Sequence, residues 1–339
     1  IAGSFAPGTH TSWEVLAVML LTAGFAFKMA AVPLHSYAGD VYQGAATPVT
    51  AFIAFVPKVS GFVALIKILF AVGGTVWVVP DSVFWLMWVM AALSMTFGNL
   101  LAVLQYNLKR MMAYSSVAHT GYMMVGVTAL LATHDRGAQT VALAGVLFYL
   151  AAYGVMNVAA FGVLMLLPAR HPKPATSAET LEDIAGQGRN HIVLGLAMAV
   201  ACLSLTGIPP TIGFIGKMYL AVPAGHTLYH PEAMIWLSII LWINAAISAG
   251  YYLRIVGTMF LRPEPTHFTP GTAPMRMVQP TSIVIAVYAS SVLTLLLGVP
   301  PLMNHLSRRA ENAARLDRPV AVPATEIADA APHPVAVEP

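Results

Sequence analysis

The chain has 339 residues, 58% hydrophobic and 9% charged, with a formal net charge of +3 and a mean hydropathy of +0.74. Average soluble domains carry about 25% charged residues, so a water-soluble globular protein is excluded. A single cysteine, Cys202, excludes an intrachain disulfide and an iron–sulfur cluster held by this chain alone, because such clusters need about four thiolates. The sequence contains no Gly-rich nucleotide fingerprint and no P-loop.

Apolar runs near the ~20 residues needed to cross a bilayer recur along most of the chain. They fall at about 13–32, 48–72, 83–104, 111–131, 140–167, 192–222, 233–261 and 281–303. Barrel strands would be shorter and would alternate polar with apolar. The expected fold is therefore an all-α membrane protein of about eight transmembrane helices within a membrane domain of 1–303.

In chain order, the sequence begins with Ile1, and residues 1–12 lack the basic-then-apolar layout of a signal peptide. It reads as a fragment or a processed chain. Helix 13–32 ends against Pro33, and the stretch LHSYAGDVYQGAATPV that follows is too polar to span. Pro48 suits the first turn of the next helix, where its missing N–H does no harm. The run from 192 is interrupted by Gly207, Pro209 and Pro210 and resumes as TIGFIGKMYLAV. Two Pro-interrupted spans predict discontinuous helices of the kind that transporters place near the midplane. In the polar link 168–191, TSAETLEDI has helix-start chemistry and predicts a short surface helix. Residues 304–339, rich in Ala, Pro and Val, predict a disordered tail.

Assigning alternate loops to two sides puts Lys109, Arg110, Arg170, Lys173, Arg189, Arg262 and Arg276 on one of them. The positive-inside rule makes that side cytoplasmic and both chain ends non-cytoplasmic. Arg308, Arg309, Arg315 and Arg318 in the tail argue weakly against this.

Four lysines lie in apolar stretches: Lys28, Lys58, Lys67 and Lys217. An ammonium in hydrocarbon costs about 2.5–3.5 kcal/mol on insertion scales, so such residues are kept where they face a polar cavity. Lys28 precedes Pro33 by five residues, where a freed carbonyl and a half-helix C-terminus could hold its charge; the alternative is snorkelling to the headgroups. Lys58 is near the middle of its span and is read as functional. Lys67 is nearer the far end and suits snorkelling as well as function. Lys217 follows the second break by seven residues, and the two lysines at broken helices suggest an inverted repeat.

His119 shares a helical face with Ser115 and Tyr122, either as a proton relay or as a packing histidine. His35 and Asp40 could extend a chain from Lys28 or be ordinary loop residues. Tyr149, Tyr153 and Asn157 share a face and read as interhelical contacts. No span has Asp or Glu in its apolar interior, so the counter-charge of Lys28 must be water, Asp40, another chain or a part outside this sequence.

The run FKMAAVPLHSYAGDVYQGAATPVTAFIAFVPKV resembles subunit N of bacterial NADH–quinone oxidoreductase (respiratory complex I), with its FK-x-x-x-x-P-x-H…DVYQG-x-x-x-PV…K pattern. GNLLAVLQYNLKRMMAYSSVAHTGYMMVG, LSLTGIPPTIGFIGKMYL and YYLRIVGTMFL, with Arg254, are similar to later helices of that family, and the resemblance covers about 13–303. Tyr37 and Gly39 depart from it, standing where tryptophan and proline are frequent. The resemblance implies an antiporter-like, inverted-repeat fold of which this chain holds the second part. It implies that Lys28, Lys58, Lys217 and His119 lie on a proton path, and that the glutamate partner of Lys28 lies on an earlier helix.

It further implies a bacterial inner-membrane location among other complex I membrane subunits, related antiporter-like subunits and lipids, with no nucleic acid. NADH, FMN, iron–sulfur clusters and quinone would be bound by other subunits, with none in this chain and quinone met only through the complex. The enzyme activity would be that of the whole translocase. A cation/proton antiporter or membrane hydrogenase-linked subunit, and a truncated structural subunit, are the alternative readings.

Overall fold

A computed structural model describes residues 12–73, 80–167, 178–224, 229–263 and 281–314. It contains α1 (Ser12–Met29), α2 (Ala38–Gly44), α3 (Thr47–Gly73), α4 (Asp81–Val103), α5 (Leu108–Leu131) and α6 (Arg136–Leu166), followed by α7 (Gln187–Asn190), α8 (Ile192–Thr206), α9 (Ile212–Ala224), α10 (Pro231–Leu261), α11 (Thr281–Leu296) and α12 (Pro300–Ala314). No strand occurs among the described residues, only an isolated bridge between Asn107 and Thr180. In hydrocarbon each backbone N–H and C=O must be satisfied within the protein, and helices do this segment by segment.

Among the described residues, four helices are long and apolar enough to cross a membrane: Thr47–Ala71, Asp81–Val103, Arg136–Leu166 and Pro231–Leu261. Shorter apolar helices are Val15–Met29, Ile192–Thr206, Ile212–Pro223 and Thr281–Leu296. The 24-residue α5 is absent from both sets, and its surroundings explain its polarity. Every residue of α5 except Arg110 is buried, so it is solvated by neighbouring helices and can carry Ser115, Ser116, His119 and Thr120. Asn107 caps it by accepting the Arg110 N–H at 3.1 Å, and Asp135 caps α6 by accepting that of Ala138 at 2.8 Å. Helices α4 and α5 meet at glycines: a Cβ on Gly98 would stand 2.5 Å from Ala118 N, and one on Gly121 2.6 Å from Met95 N. Such small residues let helix backbones touch where the hydrophobic effect does not drive association.

Several sequence expectations change. Helix α1 stops at Met29 rather than 32, because Ala30 takes a left-handed φ of 56° three residues before Pro33. The run 192–222 comprises α8 and α9, separated at Gly207 with φ 86°. The surface helix expected within TSAETLEDI is instead a turn through 181–186, and much of 178–187 is buried. Asp183 explains it: its Oδ2 accepts from Glu179 N, Thr180 N and Thr180 Oγ1 at 3.0, 2.8 and 2.9 Å. Two main-chain bonds, Leu108 N to Glu179 O and Leu181 N to Tyr106 O, then tuck the strap against the start of α5. Residues 168–177 lie outside the described residues.

The tail expectation for 304–339 is also corrected in part. Helix α12 runs to Ala314 and buries Ser307, Ala310 and Ala314 while Arg308, Arg309 and Glu311 stay exposed. Small residues at helical spacing supply its contact face, which composition alone does not reveal. Residues 315–339 lie outside the described residues.

Candidate functional site

Both helix breaks end in the same way. At the first, Ala31 N reaches Ala26 O at 2.8 Å and Ala30 N reaches Phe27 O at 3.1 Å. At the second, Ile208 N reaches Leu203 O at 3.1 Å and Gly207 N reaches Ser204 O at 3.0 Å. These are the crossed bonds of a helix end closed by a left-handed residue. They satisfy some terminal carbonyls and leave later ones without a backbone donor.

A lysine takes those later carbonyls at each break. Lys58 Nζ donates to Met29 O at 3.0 Å, to Ser116 O at 2.7 Å and to Thr120 Oγ1. Lys217 Nζ donates to Leu205 O at 3.0 Å and Thr206 O at 2.7 Å, and lies 4.5 Å from the centre of the Tyr122 ring. The side chains are nearly inaccessible, with Lys58 2% and Lys217 0% exposed. Each ammonium thus sits at the negative end of a half-helix dipole, with its N–H donors aimed at neutral acceptors. Among the described residues, neither lysine has a carboxylate within ion-pair distance. An ammonium held by dipoles can give up its proton without leaving an unpaired anion behind, which one locked to a buried carboxylate cannot do.

Between the lysines stands α5. Ser116 and Thr120, one turn apart, face Lys58, while Ser115, His119 and Tyr122 share the adjoining face. His119 Nδ1 is 2.8 Å from Tyr149 Oη, and Nε2 is 3.2 Å from Tyr252 Oη. A neutral imidazole donates at one nitrogen and accepts at the other, so this ring joins the two phenols in either tautomer. Tyr252 Oη continues to Ser115 Oγ. The His119 ring lies 5.5 Å from that of Tyr122. Asn99 Nδ2 donates to Tyr122 Oη at 3.0 Å, and Tyr251 Oη donates to Asn99 Oδ1 at 3.0 Å. Asn99 Nδ2 also reaches Asn244 Oδ1 at 3.2 Å. From Ser116 to Tyr122 the polar face rises about 9 Å along the helix axis.

The other sequence candidates lie elsewhere. Lys28 is exposed, and among the described residues it makes no hydrogen bond or ion pair. The carbonyl freed beside it, that of Met29, is taken by Lys58 instead. Lys67 is also exposed. Asp40 Oδ1 pairs with Arg110 at 2.7 Å at the surface and is not a partner of Lys28. His35 is partly buried, and its Nδ1 has no partner among the described residues. Its backbone carbonyl accepts from Ala38 N at 3.0 Å.

Sequence reasoning missed Tyr42, Thr120, Asn99, Asn244, Tyr251 and Tyr252, and read Tyr149 as an ordinary helix contact. Tyr42 Oη lies 3.2 Å from Ser116 Oγ, placing the polar segment after the first break beside the Lys58 site. Partners such as Tyr252 and His119 are 133 residues apart, and no local spacing pairs them. A usable signal existed in the polar residues Asn99 and Asn244 within otherwise apolar helices.

The family model described as NADH:quinone oxidoreductase/Mrp antiporter, TM, matches residues 4–248. An NADH-quinone oxidoreductase subunit N from Trichlorobacter lovleyi is 38% identical over 316 residues, covering 91% of this chain and 58% of that protein. The chain spans about half the length of the curated relatives it matches. A solved chain in respiratory complex I from Thermus thermophilus with bound aureothin is 34% identical with a TM-score of 0.67, over 88% of this chain and 60% of that one. A chain of the Mrp complex from Dietzia sp. DQ12-45-1b matches with a TM-score of 0.71 over 93% of this chain and 62% of that one; at 19% identity this likeness shows the fold alone.

Proposed function

The chain belongs to the NADH:quinone oxidoreductase/Mrp antiporter membrane family, and from that membership we propose that it is a proton-translocating membrane subunit of NADH–quinone oxidoreductase. It is membrane-embedded and multi-pass, as its apolar helices and its family indicate. The observation that carries the reading is the pair of buried lysines, each capping the C-terminal end of a helix, with no carboxylate in ion-pair distance among the described residues, and each in contact with α5.

In this reading, redox chemistry in other subunits alters the electrostatics along the membrane axis. Lys58 and Lys217 load and release protons in response, and His119, with Tyr149 and Tyr252, passes them by exchanging tautomers. Lys28 is exposed, and an acidic partner from beyond the described residues would complete its site. Asp40 and His35 lie towards the cytoplasmic end of the first break, and Lys67 snorkels. The side bearing Lys109, Arg110, Arg189 and Arg262 is cytoplasmic, and the helices on either side of each break form discontinuous spans. NADH, FMN, iron–sulfur clusters and quinone belong to other subunits, and this chain performs no redox step. Its neighbours are the other membrane subunits of the complex and lipids.

Vesicles holding the complete complex test this against a cation/proton antiporter. NADH oxidation should acidify the vesicle interior without sodium. Proton movement that needs a sodium gradient and ignores NADH would overturn the reading.

A further inference from the structure

The family match ends at residue 248, before α11 and α12. These two helices meet at an elbow, 297–299, and that elbow rests against the second helix break. A Cβ added to Gly298 would stand 2.0 Å from Pro210 O, far inside any nonbonded contact. Pro210 belongs to the link 207–211 that joins α8 to α9.

The link has little room to yield. Pro209 and Pro210 have ring-fixed φ angles. Thr211 closes a turn on Ile208 O through its N–H at 3.1 Å and its hydroxyl at 2.7 Å. Gly213 N is tied to Ser204 Oγ at 3.1 Å, and a Cβ on Gly213 would collide with the Ser204 carbonyl. Pressure on Pro210 would therefore pass to the end of α8, whose Leu205 and Thr206 carbonyls hold Lys217. The second arm of the elbow packs on α6 and α9: Ser307 and Ala310 of α12 line a cavity together with Phe148 and Tyr219.

We propose that Gly298 is a positioning residue for Lys217, the α11–α12 elbow acting as a backstop that lets the second break close onto the lysine. The inference rests on Lys217 carrying protons, and the test separates the two claims. Complete complex carrying Gly298→Ala, Gly298→Val, Lys217→Met or Gly298→Val with Lys217→Met is reconstituted, and protons moved per quinone reduced are counted. Gly250→Ala serves as a control, since nothing lies within 4 Å of a Cβ there.

The ratio should fall at Gly298→Ala and further at Gly298→Val, with Gly250→Ala unchanged. The double variant should match Lys217→Met alone, because residues acting through one group are not additive. Wild-type ratios in both Gly298 variants, in a complex that Lys217→Met impairs, would overturn the inference. So would a double variant whose loss is the sum of the two single losses. A wild-type ratio in Lys217→Met would instead defeat the proton-carrier reading. If Gly298→Val does not assemble, the smaller Gly298→Ala decides the question.

Discussion

Replacing Thr120 by valine isolates one of the contacts that hold the Lys58 proton. The hydroxyl accepts from Lys58 Nζ and lies 3.0 Å from Met29 O, to which it donates. Valine has nearly the same shape, so no cavity opens in the buried core around α5. The ammonium is left with the carbonyls of Met29 and Ser116 at 3.0 and 2.7 Å. A hydrogen bond to a charged group contributes about 1.5–3 kcal/mol. At about 1.4 kcal/mol per factor of ten, the ratio of loaded to empty Lys58 falls roughly ten- to a hundredfold. Proton pumping by the complete complex, measured from NADH-driven acidification of vesicles, should fall. Thr120→Ser keeps the hydroxyl and should pump close to the wild-type rate. Wild-type pumping in Thr120→Val, with complex present in normal amount, would refute the claim that this contact governs loading.

Tyr149→Phe and Tyr252→Phe each remove one partner of His119 and should slow pumping several-fold. Together they should do no more than His119→Ala, a non-additivity that steady-state rates of the four variants would check. Lys67→Gln, at an exposed position, should leave the pumped ratio unchanged. Asp40→Asn breaks an exposed pair and should change thermal stability by less than about 1 kcal/mol. Gly121→Ala drives a Cβ to 2.6 Å from Met95 N and should destabilise the α4–α5 contact by about 1–3 kcal/mol, seen as reduced assembled complex on native gels.

The ends of α1 and α8 were legible because proline and glycine act locally. Pro33, Gly207, Pro209 and Pro210 mark where both helices stop in the sequence itself. The buried lysines were legible because a charge in an apolar run is costly wherever it lies. Their acceptors were not. Lys28 is next to Met29, yet the Met29 carbonyl goes to Lys58, 29 residues away, and only the packing of α3 against α1 and α5 decides that. The histidine's partners were hidden for the same reason. Asp183 misled in the opposite direction: its residue type fits a helix start, but it closes a turn that the Asn107–Thr180 bridge pulls under the bundle. Helix α12 escaped notice because a contact face made of Ser307, Ala310 and Ala314 has almost no hydropathy signal.

Counting protons moved per quinone reduced, in complete complexes carrying Lys58→Met or Lys217→Met, tests most directly whether the two capped lysines form a proton path. A lowered ratio in each variant, at normal assembly, is the expected result. A full wild-type ratio in both would contradict it.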